Sequence, residues 1–308
     1  MTKNKKYGII KYNILRMVNI MAKPIIALMY DFDSTLSTTD MQEYAFIKNL
    51  DMTPKEFWSE AGKLTKEYGV ERILAYMYVM VKECKKKGIK LTEEYLNECG
   101  KNIVFFKGVT TWFDRINEYA NSIGAQVEHY IISSGTSEIV MGSEIAKYFK
   151  KIYGCKFLYD DNGEAIWPSM AINYTLKTQY IFRIGKGVLD EFDDDNLNKH
   201  SESRRIPYEN MIYLGDGLTD IPCMKLLREK GGKSIALYPS GNKKRAMQLV
   251  QDKRINYVTV ADYSPNSTLE KIVKMMIDNM VSYANLKERE EKQIAAFTKT
   301  TLEGADED

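Results

Sequence analysis

Short apolar runs that end in polar clusters recur along the chain. Ile25–Tyr30 (IIALMY) leads into the polar stretch 31–40, Val127–Ile132 (VEHYII) into a serine-rich turn, and Met211–Leu214 (MIYL) into a glycine–aspartate turn. Ser234–Leu237 (SIAL) and Tyr257–Val260 (YVTV) continue the series. Unbroken apolar runs of this length suit strands buried on both faces of a parallel sheet. Helical periodicity between them implies an open α/β sheet with right-handed crossovers.

Residues 41–105 break that rhythm, with no convincing strand. Thr53 and Glu56 form a capping box around Pro54. Val70, Ile73, Leu74, Met77, Val81 and Cys84 recur at helical spacing, and Thr92 can cap a further helix. The stretch therefore reads as helices inserted between the first two strands. Tyr76, Met77, Tyr78 and Met80 within it read as core rather than as a ligand box. Cys155–Trp167 carries Asn162-Gly163 between β-rich flanks, a hairpin signal. The acidic run Asp190–Asp195 lacks the glycine and terminal glutamate of a calcium loop and reads as a solvated connector.

Composition changes this picture little. Of 308 residues, 44% are hydrophobic and 28% charged, enough to bury a sizeable core. No run approaches the ~18 apolar residues of a spanning helix. The net charge of +2 is uneven: residues 1–23 hold six positives and no acid, so the remainder carries −4. A mildly acidic body argues against a nucleic-acid partner, and the interrupted head against a secretory signal; the head reads as a loosely ordered extension, with a basic amphipathic membrane contact as the alternative. Met21, just before the first strand, is a candidate alternative start that intact mass would test. Cys84, Cys99, Cys155 and Cys223 form no CxxC pair, and with only two histidines a structural zinc site is excluded. Reduced thiols place the protein in the cytoplasm. The segment from Leu286, ending in EGADED, reads as a fraying charged tail.

Three polar clusters follow predicted strands, and ligands of open α/β sheets bind at strand carboxyl ends. The first is Asp31-Phe32-Asp33-Ser34-Thr35-Leu36. Two carboxylates this close repel when both are ionised. Either a hard cation such as magnesium relieves them, or one stays protonated and serves as an acid. The second is Ser133-Ser134-Gly135-Thr136, where hydroxyls and backbone N–H groups at a helix start suit an anion. The third is Gly215-Asp216-Gly217-Leu218-Thr219-Asp220, a tight turn with carboxylates at the strand end and on the next helix. Each cluster alone is equally a helix cap; three in this order are far more demanding.

That succession, DFDSTL, then SSGT, then GDGLTD, resembles the haloacid dehalogenase-like hydrolase superfamily, and within it the phosphoserine-phosphatase-like branch. The resemblance spans residues 24 to about 265. It implies a Rossmann-like parallel sheet flanked by helices, a catalytic core at 24–40 and 106–285, and a helical cap at 41–105. The basic extension 1–23 and the charged tail 286–308 lie outside it. It also implies a magnesium-dependent phosphatase that hydrolyses a phosphomonoester of a small metabolite through an aspartyl-phosphate. Asp31 is then the nucleophile and Asp33 the acid and base. Ser133, Ser134 and Gly135 bind the phosphate. The lysine is Lys177, with Lys156 in the hairpin as the alternative. Magnesium falls to the Asp31 carboxylate, the Asp33 backbone carbonyl and Asp216, and Asp220 orients Lys177 or a metal-bound water. Asp33 argues against a dehalogenase, which needs no such acid; a phosphotransferase or phosphomutase, or a non-catalytic phospho-ligand-binding member, remains the alternative. Two departures, Thr219 for the usual Asn and Asp40 for the usual Glu, leave the substrate open. Arg72, Lys63 and Lys66 are candidate anion contacts in the cap, and the oligomeric state is not readable.

Overall fold

The computed structural model describes residues 23–200, 203–251 and 253–304. The basic head up to residue 22 and the last four residues lie outside that range.

Strand β1 (Ile25–Tyr30) sits at the centre of the sheet because its whole apolar run is covered on both faces. An insert of helices follows: α1 (Pro54–Tyr68), α2 (Arg72–Lys87) and α3 (Glu93–Gly100). The Thr53–Glu56 capping box opens α1, and the Thr92 hydroxyl accepts the Tyr95 N–H at the start of α3. Met77 and Met80 are fully buried, as the helical spacing requires, whereas Tyr78 is half exposed. The chain leaves and re-enters the core side by side: Ser37 bridges Phe105, and the Phe106 N–H donates to the Leu36 carbonyl.

Helix α4 (Val109–Ser122) leads to β2 (Gln126–Thr136), the five-residue α5 (Ser137–Met141), β3 (Phe149–Tyr159) and β4 (Ala165–Met170). Then come α6 (Lys177–Lys186), β5 (Met211–Gly215), α7 (Ile221–Glu229), β6 (Lys233–Tyr238), α8 (Lys244–Gln251), β7 (Tyr257–Val260) and α9 (Thr268–Gly304). The sheet order is β4-β3-β2-β1-β5-β6-β7. All neighbours are parallel except β3 and β4.

The expected open, largely parallel sheet is present, and the expected hairpin adds β4 to its edge antiparallel to β3. The hairpin loop is braced by Asp160, whose carboxylate accepts the N–H groups of Asn162 and Glu164, with Gly163 at φ 75°. The first half of β3, Phe149–Gly154, escapes a reading of apolar runs because two lysines interrupt it, yet it pairs with β2. Finally, the segment from Leu286 continues α9 as helix to Gly304 instead of fraying.

Candidate active site

Parallel pairing places the carboxyl ends of β1, β2 and β5 along one edge, and the three polar clusters meet there. The Asp31 N–H donates to the Leu214 carbonyl (2.9 Å), which carries strand geometry one residue beyond β1. Phe32 then turns into the core, and its carbonyl accepts the N–H groups of Leu36 and Ser37. Ser34 takes the left-handed conformation (φ 56°), a strained choice for a non-glycine residue and one typical of functional turns. The turn sets Asp33 beside Asp31 in the wall of one cavity. The Asp33 Oδ1 accepts the Met41 N–H (2.8 Å).

From β2 come Ser134 and Gly135, both in the cavity wall. The Ser134 hydroxyl is buried without a hydrogen-bond partner. A Cβ at Gly135 would lie 2.1 Å from the Met41 Cε, the movable end of a long side chain, and 3.1 Å from an Asp33 oxygen. Ser133 stands behind this wall, fully buried, its Oγ accepting the Gly135 N–H (3.0 Å).

From β5 come Asp216 and, at the entry to α7, Asp220. Asp220 is fully buried and saturated with donors. Its Oδ1 accepts from Lys177 Nζ (2.8 Å) and the Tyr213 hydroxyl (2.7 Å), and its Oδ2 from the Gly217 N–H (3.2 Å). Gly215 leaves room for it: a Cβ there would fall 2.4 Å from Asp220 Oδ2. Lys177, the first residue of α6, is fully buried, and its Nζ lies 3.0 Å from Asp31 Oδ1. Lys156, the alternative, is held by Glu191 in the acidic connector at 3.0 Å. That connector is thus only partly solvated, since Glu191 is buried.

The charges do not balance. Burial, and then the negative charge of Asp220, push the Asp31 carboxyl up, and Lys177 offsets this only in part. Burial, Asp40 and Asp31 push Asp33 well above the usual carboxylate range. Burial alone would discharge Lys177, but Asp220 and Asp31 outweigh it and hold the ammonium charged. Carboxylate oxygens of Asp31, Asp216 and Asp220 lie within 4.8 Å of one another. This is a hard-oxygen set with surplus negative charge, which fits magnesium or a similar cation. Three donors already occupy Asp220, which leaves it the less suited to be a ligand. Asp33 is not in this carboxylate group; any share it has in an ion comes through its backbone carbonyl.

The cavity measures about 480 Å³, and the insert supplies its far wall through Trp58, Thr65, Arg72 and Tyr76, with Asp40 and Gln42 beside them. Of the candidate anion contacts, Arg72 reaches the cavity; Lys63 faces Glu67 at the exposed surface, and Lys66 is exposed. Sequence reasoning missed Tyr213, Trp58 and Gln42, whose positions in a strand and on helical surfaces carry no motif. Gln42 is almost fully buried, and its side-chain oxygen has no hydrogen-bond partner.

No protein-family model matches the chain. A Borreliella burgdorferi protein described as uncharacterized is 30% identical over 273 residues, 80% of this chain and 94% of its own length. A substrate-bound phosphoserine phosphatase complex superposes with a TM-score of 0.52 at 16% identity, over 82% of this chain and 99% of that one. A probable phosphoserine phosphatase from Vibrio cholerae gives 0.53 at 10% identity, over 86% and 67%. At such identities the likeness to solved structures is one of fold. Among the described residues no helix is long and apolar enough to cross a membrane.

Proposed function

The chain belongs to one family with the Borreliella protein and has the haloacid dehalogenase-like fold in its phosphoserine-phosphatase-like form; from this premise we propose that it is a magnesium-dependent phosphatase of small phosphomonoesters. One observation carries the reading: a fully buried lysine bridges Asp31 (3.0 Å) and Asp220 (2.8 Å) at a cavity that Asp33 also lines. A buried cation between carboxylates, facing a pocket, is arranged to receive further negative charge.

In this reading Asp31 attacks phosphorus, and the phosphorus–oxygen bond to the alcohol breaks as an aspartyl-phosphate forms. Asp33, whose raised pKa keeps a proton available, gives it to the departing alkoxide and later takes one from the hydrolytic water. Lys177 holds a phosphoryl oxygen, and Asp220 with Tyr213 fixes the ammonium in place. Ser134 supplies its partnerless hydroxyl to the remaining oxygens, while Ser133 and the Gly135 amide, bonded to each other, shape the loop around them. Asp31, Asp216 and the Asp33 backbone carbonyl would hold magnesium, which supplies neutralising charge to the phosphate. The helical insert acts as a cap that excludes water and contacts the alcohol. The four buried free cysteines agree with a cytoplasmic enzyme.

A panel of phosphomonoesters, assayed with magnesium and again with chelator, tests the reading. Release of phosphate from at least one ester, lost on chelation, supports it. No release from any ester by folded protein overturns it.

A further inference from the structure

The Tyr76 hydroxyl, on helix α2 of the insert, donates to the backbone carbonyl of Ser134 at 2.8 Å, across 58 residues of sequence. The Cys155 thiol, on β3, donates to the same oxygen at 3.2 Å. The carbonyl of the Ser134–Gly135 peptide is therefore held by two elements outside its own strand. A trans peptide is planar, so fixing the carbonyl fixes the opposite direction of the Gly135 N–H. That N–H points back towards the Ser133 hydroxyl at 3.0 Å.

The second residue of this peptide is glycine, which restrains the backbone least. The Ser134 hydroxyl, buried at the cavity wall without a hydrogen-bond partner, takes its direction from that backbone. Tyr76 is itself well placed to hold that backbone. It is 4% exposed, its ring meets Trp58 edge to face at 5.8 Å, and both side chains line the cavity.

We propose that Tyr76 is a positioning residue that fixes the Ser134 backbone, and with it the partnerless Ser134 hydroxyl at the cavity wall, and so ties phosphate affinity to the seating of the helical insert. The inference rests on the phosphatase reading above and adds to it a residue that works through the backbone of the phosphate loop.

The test is the affinity of the full chain for inorganic phosphate, measured by calorimetry with magnesium present, alongside turnover of the best ester from the panel. Tyr76→Phe keeps the ring and removes only the hydroxyl. It should weaken phosphate binding, and raise KM, about fivefold, the worth of one hydrogen bond. Tyr78→Phe, on the same helix but half exposed, should change neither. Cys155→Ala removes the weaker donor and should weaken phosphate binding about twofold, which keeps the inference testable if Tyr76→Phe does not fold. A merely structural role would lower the unfolding midpoint of Tyr76→Phe with phosphate affinity unchanged, and that result overturns the proposal. A wild-type chain that hydrolyses esters beside an unaffected variant sinks this inference alone. A wild-type chain that neither binds phosphate nor hydrolyses any ester sinks the phosphatase reading and this inference with it.

Discussion

Glu128 and Asp31 lie on neighbouring strands, both buried, in opposite electrostatic settings. Glu128 pairs in register with Ala27, four residues before Asp31. It meets two cations, Arg205 through a two-oxygen fork (2.8 and 2.6 Å) and Lys150, and accepts from the Tyr130 hydroxyl (2.6 Å). Burial pushes its carboxyl up, but these donors outweigh burial and bring it down to about 2. At the other end of the sheet one cation, Lys177, serves Asp31 and Asp220 together, with Asp33 and Asp216 close by. There the Asp31 and Asp33 carboxyls are pushed up. A buried carboxylate answered by its own cations helps to hold the sheet together, whereas carboxylates that share one cation beside a cavity are stabilised fully only when something binds.

The contrast can be broken from either side. Asp31→Asn should cut phosphate release at least about a thousandfold. It should leave the unfolding midpoint unchanged or higher, because it removes a repelled charge; steady-state assay and thermal melting check both. Lys177→Met should abolish turnover and cost about 3–5 kcal/mol in urea unfolding, since two buried carboxylates lose their cation. Magnesium at about a hundredfold its Kd should stabilise the wild type by about 2.7 kcal/mol, and Asp31→Asn by much less. Identical melting shifts in the two proteins would sever the ion from this cluster.

Glu128→Gln should keep full turnover but lose about 2 kcal/mol at neutral pH, a figure reduced for the exposure of Arg205 (33%) and Lys150 (39%). The sign follows from a lowered folded-state pKa. The stabilisation is complete above the ordinary value of 4.5 and fades as pH falls towards about 2, so urea unfolding of the two proteins should converge in acid. His129 adds an effect that is absent at neutral pH and grows in acid. Burial lowers its pKa from 6.5 to about 3, so acidification below 6.5 favours the unfolded chain, which takes up the proton first. Replacing His129 by Gln should flatten that slope of the pH–stability curve.

Much of this architecture was legible because it is encoded locally. β1 and β7 span the residues that their apolar runs predict, and Thr53–Glu56 caps the helix that it announces. The three polar clusters converge because parallel strands deliver their carboxyl ends to one edge, a consequence of topology that needs no knowledge of side chains. Lys177 was legible through resemblance alone, since nothing in NYTLKTQYIFRI marks a lysine that will be fully buried. The first half of β3 was not legible, because an interrupted pattern carries no clear period.

The chain by itself determined the strand runs, the helix caps and which residue types leave each strand end, since these follow from backbone periodicity and from hydrogen bonds between near neighbours. Only the tertiary structure decided that Tyr213 braces Asp220, that Glu191 claims Lys156, and that Tyr76 grips the carbonyl of Ser134. The last two pairings join groups far apart along the chain, and all three depend on packing that closes on a single arrangement only when the core is complete, so no short pattern records them.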